Sequence, residues 1–419
     1  MAPVIIIGGG IVGVCVAATL QREGRDVLII EHGDPGMGAS FGNGGIFSVS
    51  SIVPVAMPGV LKKIPGWLMD SQGPLTIRWS YLPRLTPWLA RFVAASAPDR
   101  VEAAARALRA LLKDALMGYA PLVRDAGVPE LVRQEGMLYL YASEASWRND
   151  ARAMELRRRN GIEIQEIEGR ALAEREPDLA PGFKRARFIP ANGHTANPLR
   201  LVQALLHHAV ERGARIVRDR VVGFEHNGRA ITGVRTQSAL HPASAVVLAA
   251  GAWSGKLAAQ LGDAVALDTE RGYHTVVANP EKTVRTPAIF VDGSFGVTPM
   301  ETGLRLVGTV ELAGLGAEPN WARARVLLEQ GKRMLPGLLA DNDATRVSQW
   351  LGFRPSLPDS LPVIGPSSRY ANAFYAFGHG HVGMCGAPAT GAIVTDLVCG
   401  RAPTIDIAPF SAQRFRQRM

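Results

Sequence analysis

Two groups of residues in this 419-residue chain have the types and spacing to do chemistry. The first is Gly8, Gly10 and Gly13 in VIIIGGGIVG, with Glu31 closing the next apolar run and His32 behind it. Glycines at this spacing allow a tight turn, close approach of backbone to a pyrophosphate, and close packing of helix on strand. Ile11 and Val12 would open a helix whose N-terminus favours phosphate charge, and Glu31 can accept from a ribose hydroxyl. The second is Arg354 in GFRPSLPDSLPVIGP (Gly352–Pro366), between Phe353 and Pro355 and followed by Pro358, Pro362 and Pro366. So few backbone donors make a stiff segment that is no ordinary helix. A planar, two-pronged guanidinium on it suits a carboxylate ligand, with a structural salt bridge to Asp359 as the alternative. Hydrolytic and metal chemistry have no support: there is no GxSxG, no HExxH and no Cys/His pair at useful spacing, so no metal is expected.

The elements that must position these groups are legible around them. Val4–Ile7 reads as a strand buried on both faces, Ile11 to Arg22 as a helix stopped by Gly24, and Val27–Ile30 as a second buried strand. That unit predicts a dinucleotide site without separating NAD from FAD. Three further segments are rich in small residues: GASFGNGG (Gly38–Gly45) with Ser40, Asn43, Gly44 and Gly45; VVLAAGAWS (Val246–Ser254) with Ala250, Gly251 and Trp253; and AFGHGHVGMCGAPATG (Ala376–Gly391), which opens an apolar helix.

In this order, with NGHTANPLRL and RGYHTV between them, these motifs resemble the FAD-dependent D-amino-acid dehydrogenase and glycine/sarcosine oxidase family, most of all its small-subunit bacterial dehydrogenases. The resemblance covers nearly the whole chain. It implies an α/β fold, with a Rossmann-like FAD-binding domain (1–50, 195–265 and 345–419) interleaved with a mainly antiparallel substrate domain (51–194 and 266–344). It implies non-covalent FAD, since Ser356 and Leu357 stand where some sarcosine-type relatives attach flavin through a cysteine. It places Gly352, Gly380, His381, Val382, Gly383 and Met384 against the cofactor, the helix N-terminus stabilising a reduced ring, and the backbone of Val221 and Val222 against the adenine. It assigns Arg354 to the substrate carboxylate. Tyr273 and His274 become candidates for the substrate's amine side, with core roles equally open; His379 and His194 are weaker ones. The reaction implied is oxidation of a D-amino acid, D-proline or a hydroxyproline included, with electrons passed to a quinone or other acceptor. The alternatives are a glycine/sarcosine-type oxidase using oxygen and a non-catalytic FAD-binding subunit.

Composition agrees with a globular enzyme: 47% hydrophobic, 20% charged, net charge +9. The basic residues are dispersed, with Arg157–Arg159 the one run, so no nucleic-acid partner is expected. Cys15, Cys385 and Cys399 form no metal or disulfide pattern. No basic leader precedes the first strand and no apolar run reaches membrane-spanning length, so a cytoplasmic location is expected. Residues 54–92 combine Trp67, Trp79 and Trp88 with Lys62, Lys63, Arg78, Arg84 and Arg91. They read either as a peripheral docking surface for the inner membrane face or a redox partner, or as an insert packed on the protein's own core. Further expected elements are helices over Arg100–Tyr119, Asn197–Gly213 and Trp321–Met334. Strands are expected over Ala214–Glu225, Ile231–Thr236, Gly136–Tyr141, Arg271–Val277, Ile289–Val291, Phe295–Pro299 and Leu304–Val310.

Overall fold

A computed structural model describes residues 2–70, 73–341 and 343–416. Its first layer is a six-stranded sheet in the order Val363–Pro366, Ala373–Phe377, Ala245–Leu248, Val4–Ile7, Val27–Glu31, Arg215–Arg218. All neighbours are parallel except the first pair. The β-branched run Val4–Ile7 follows from burial on both faces. Val4 and Ile6 join the core under the Ile11–Arg22 and Gly383–Val398 helices, whereas Ile5 and Ile7 join a second core with Ile231 and Val234. The two helices touch closely: a Cβ on Gly391 would lie 3.0 Å from the Cys15 carbonyl oxygen. From a third helix, Ala115–Asp125, buried Tyr119 donates to the Met384 carbonyl at 2.6 Å.

The second layer is a nine-stranded, mainly antiparallel sheet. Its edge strand Val347–Ser356 pairs with Asp268–Val277, which pairs with Gly303–Leu312 and so on through Phe295–Met300, Ala288–Phe290, Met137–Tyr141, Arg185–Ile189 and Gln165–Glu168. The segment carrying Arg354, expected on the dinucleotide side of the molecule, is thus a full strand of this sheet, in register over ten residues. Pro355 is tolerated there because the strand is an edge.

Two other expectations shift. The run Ala214–Glu225 divides at Asp219: Arg215–Arg218 joins the parallel sheet, and Val221–His226 starts a separate three-stranded sheet. The helix expected over Arg100–Tyr119 is two, Pro98–Leu112 and Ala115–Asp125, broken at Lys113 and Asp114.

Residues 54–92 form helices Val60–Met69 and Leu82–Ala95 joined through a short strand, Leu75–Ile77, that pairs with Val310–Leu312. Leu85, Trp88 and Phe92 bury a small core with Ala56, Val60 and Leu312, while Met69 and Trp79 stand 87% and 69% exposed. Residues 71 and 72, and the side chains of Lys62, Lys63 and Trp67, lie outside what is described. Among the described residues, no helix is long and apolar enough to cross a membrane.

The first turn sets a sharp steric test. A Cβ on Gly13 would lie 2.0 Å from the Gly8 carbonyl oxygen. Gly13→Ala is expected to cost about 2–3 kcal/mol through forced separation of helix and strand. An unchanged urea midpoint would remove the close-packing account of this glycine.

Candidate active site

Where the first strand turns into its helix, Gly8 has φ +114° and a Cβ there would meet the Ala249 carbonyl oxygen at 2.4 Å, so the turn admits glycine alone. Gly10 is the extended N-cap residue, and the Ser40 hydroxyl, from the following loop, accepts from the Ile11 amide at 3.0 Å. Glu31 ends the second strand with its carboxylate accepting from the Gly9 amide at 2.7 Å and the Gly33 amide at 3.0 Å. His32 Nδ1 lies 2.8 Å from the same carboxylate, and its ring is 5.7 Å from that of Trp253. Trp253 and Val222 are exposed, and Gly251 turns with φ +54° after Ala250. Val12 is the second residue of the helix. These groups make a glycine-lined cradle at a helix N-terminus with an acid at its side.

The loop Phe41–Gly45 crosses from this cradle to the second sheet, which holds it by its carbonyls. Arg305 donates to the Phe41 and Asn43 carbonyls at 2.9 and 2.8 Å, and Thr298 donates to that of Gly44 at 2.7 Å. The Thr195 amide donates to the Gly45 carbonyl at 2.7 Å, and Asn43 Oδ1 accepts from the Gly45 amide. His274 Nδ1 sits 3.2 Å from the Gly42 carbonyl oxygen, its ring stacked on Trp350. A Cβ on either Gly42 or Gly352 would fall 1.8 Å from the Trp350 ring. Burial pushes Arg305 down to about 10 and His274 down to about 3.

Register puts Arg354, Gly352 and Trp350 on the same sheet face as their partners Glu270, Gly272 and His274. Arg354 is partly buried and lies over Gly272, where a Cβ would be 2.2 Å from the guanidinium carbon. Beyond Gly272 the neighbouring strand bulges: two steps from Arg271 to Tyr273 face three from Gly308 to Glu311, and Thr309 takes φ +54°. The guanidinium donates to the Thr309 carbonyl at 3.0 Å and to that of Gly308 at 3.4 Å. Among the described residues no carboxylate forms an ion pair with Arg354; Asp359 is taken by Arg414 at 2.7 Å. Burial lowers the Arg354 pKa while Glu270 opposes the shift.

Glu270 is buried beside it. His381 Nε2 lies 2.7 Å from one carboxylate oxygen, and the Ser356 hydroxyl donates to the other at 2.6 Å. Burial alone would raise this carboxyl, but His381, Ser356 and Arg354 hold it at about 2. His381 is brought in by the loop before the Gly383–Val398 helix, where Gly380, at φ +52°, donates to the Pro355 carbonyl at 2.8 Å. Val382 is the helix N-cap and no side chain caps it. Tyr81, from the 54–92 segment, donates to Asp268 two residues from Glu270.

The structure therefore brings together Arg354, Gly352, His381 and the Gly380–Met384 helix start, but not the other proposed substrate contacts. Tyr273 points to the opposite face, buried, donating to Glu311 at 2.6 Å and accepting from the Asn320 amide. His274 is spent on the Gly42 loop. His379 is buried against the helix that follows it, Nε2 2.9 Å from the Thr390 hydroxyl, and burial lowers it to about 4. His194 is buried at the Ile46–Phe47 strand pairing. Glu270, Gly272, Thr309, Ser356, Arg305 and Trp350 were not anticipated. The alternation in ERGYHTV, which sets Glu270, Gly272 and His274 against Tyr273, was the available signal for the first two.

Residues 3–397 match the family described as FAD dependent oxidoreductase. The chain belongs to that family. It is 43% identical to a D-amino-acid oxidase of Bradyrhizobium diazoefficiens over 98% of both chains. It is 30% identical to a D-amino acid dehydrogenase of Paramagnetospirillum magneticum, again over 98% of both. Among solved structures, glycine oxidase from Geobacillus kaustophilus superposes with TM-score 0.73 at 24% identity, covering 99% of this chain and 98% of that one. L-proline dehydrogenase from P. horikoshii gives 0.73 at 21% identity, covering 99% and 98%. The protein is an FAD-dependent oxidoreductase, and the glycine turn at a helix N-terminus, with the Glu31 carboxylate at its side, suits that cofactor.

The buried histidines predict an acid-side loss of stability. His194, His274 and His379 titrate below their ordinary 6.5 in the folded chain. Unfolded, they bind protons first, so stability is full above pH 6.5 and falls as pH drops toward the folded values. Each contributes a slope of up to about 1.4 kcal/mol per pH unit. Urea midpoints at pH 6.5 and about pH 5 should differ less for His379→Asn than for wild type; equal differences would contradict a neutral buried His379.

Proposed function

We propose that the protein oxidises the α-carbon of a D-amino acid whose carboxylate is held by Arg354. The observation that carries this reading is a guanidinium fixed by two backbone carbonyls, without an ion pair among the described residues. Its remaining N–H donors are free to take a carboxylate in two-pronged fashion. The Gly8–Gly13 turn, Glu31, His32, Ser40, Asn43, Gly44, Gly45, Val222, Ala250, Gly251 and Trp253 would hold non-covalent FAD, together with Gly352 and the Gly380–Met384 helix start. Bound FAD supplies the hydride acceptor. The residues around Arg354 supply orientation: Gly272 leaves room for the guanidinium, the Thr309 bulge aims it, and the sheet's grip on Phe41–Gly45 sets one wall against the other. Positioning of this kind is the main contribution a protein makes to hydride transfer. The imino acid formed is hydrolysed by water to a 2-oxo acid and ammonia, and D-proline or hydroxyproline would stop at the cyclic imine.

Electrons pass to a quinone or another carrier. Exposed Met69 and Trp79 beside exposed Arg78 and Arg84 support residues 54–92 as the side that meets it, at the inner membrane face. Oxygen is the second reading, favoured by the oxidase name of the 43% identical relative.

Anaerobic bleaching of the flavin by a panel of D- and L-amino acids, N-methylglycine and hydroxyprolines tests the substrate class, and reoxidation by air or by a quinone tests the acceptor. Arg354→Ala should raise the apparent KM for every carboxylate substrate at least about 30-fold, the loss of roughly 2 kcal/mol. Gly272→Ala, which pushes a Cβ into the guanidinium, should give a smaller rise with FAD retained. Unchanged KM in Arg354→Ala removes the clamp.

A further inference from the structure

We infer that His381 takes the ammonium proton of the bound amino acid and that Glu270, with Ser356, is the positioning residue that makes this transfer favourable. The inference rests on Arg354 holding the substrate carboxylate. An amino acid near neutral pH carries an ammonium group, and hydride cannot leave the α-carbon productively until the nitrogen has a lone pair to form the C=N bond. One proton has to leave first, to solvent or to a group of the protein, and near neutral pH a positioned base makes that loss faster.

The chain places one candidate there. Glu270 and Arg354 are directly opposite each other on neighbouring strands, so a carboxylate bound at Arg354 sits beside the Glu270 face. His381 is joined to Glu270 at 2.7 Å through Nε2, and its side chain is 45% exposed. A carboxylate only accepts, so the neutral ring carries its hydrogen on Nε2 and keeps the Nδ1 lone pair. Nδ1 makes no hydrogen bond among the described residues. Glu270 is itself held by the Ser356 hydroxyl and stays ionised, so it compensates the imidazolium that forms. Among the described residues, the other titratable or charged groups around this carboxylate are Arg354 on the edge strand and Asp268, with the Tyr81 hydroxyl on it. Asp268 is pushed up by burial, which favours its neutral form.

In the step, an N–H bond of the ammonium breaks, its electron pair stays on nitrogen, and the proton joins Nδ1 of His381. The amine is then neutral, the imidazolium faces the Glu270 carboxylate, and charge is conserved. No oxidant enters until hydride transfer, which the family's flavin chemistry supplies.

The test uses the FAD-loaded full chain, mixed anaerobically with D-alanine, D-phenylalanine and D-proline in turn, with flavin bleaching followed at saturating substrate across pH. Wild type should bleach at a rate that varies little with pH between about pH 7 and the amine's own pKa. His381→Asn should be about 10²-fold slower near neutral pH. Its rate should climb about tenfold per pH unit, as the free amine does, and converge on wild type above the amine's own pKa. Glu270→Gln keeps a hydrogen-bonding partner but no charge, and should show the same slope with a smaller deficit. A deficit in His381→Asn that is equal at every pH, or a wild-type profile, overturns the inference. So does loss of visible flavin from both His381→Asn and His381→Gln, which would assign the ring to holding the cofactor. Arg354→Ala weakens binding at all pH values, so failure of the clamp appears in KM and is distinct from failure of the proton step. No bleaching of wild type by any amino acid overturns both.

Discussion

A guanidinium laid into a sheet face and partly withdrawn from water must be given acceptors, and the way Arg354 is given them organises the candidate site. The two acceptors are main-chain carbonyls of Gly308 and Thr309, exposed by a bulge on the next strand but one. A buried carboxylate pairing with Arg354 would have satisfied the charge and closed the site. Carbonyls satisfy part of the donor set and leave a net positive charge, partly offset by Glu270 across the strand pair. The absence of a side chain at Gly272 is what lets the guanidinium reach across.

The same sheet face governs the first layer. Arg305, Thr298 and His274 each grip a carbonyl of Phe41–Gly45, the loop whose neighbour Ser40 caps the first helix at Ile11. The proposed carboxylate clamp and the dinucleotide cradle are therefore tied through one short loop, with Trp350 filling the space that Gly42 and Gly352 leave. Relative placement of the two sites is set by hydrogen bonds to backbone, which are less tolerant of drift than side-chain pairs between exposed charges.

The first strand–turn–helix–strand unit was legible in the sequence because its signals are local: β-branched residues for a doubly buried strand, glycines for close approach, an acid at the end of the next strand. Arg354 was legible by its stiff surroundings. Its neighbours were not, because they are a matter of strand register and of a bulge. Which face Tyr273 presents depends on pairing with residues far along the chain, and it turns away while Glu270 turns inward. Thr309 has nothing in its local sequence to announce positive φ. His379 and His381 look alike in GHGH, yet the first is buried on Thr390 and the second reaches Glu270. The break at Lys113 and Asp114, within a run of helical spacing, was equally invisible.

The central claim is that Arg354 is a cation left open for a carboxylate. A crystal structure of the FAD-loaded protein with a bound D-2-hydroxy acid, which carries a hydroxyl in place of the substrate's amine, addresses it most directly. The account predicts the ligand's carboxylate on the Arg354 guanidinium, with the Gly308 and Thr309 carbonyls still accepting from it. A ligand bound elsewhere, with Arg354 swung onto Glu270 in a closed ion pair, would contradict it.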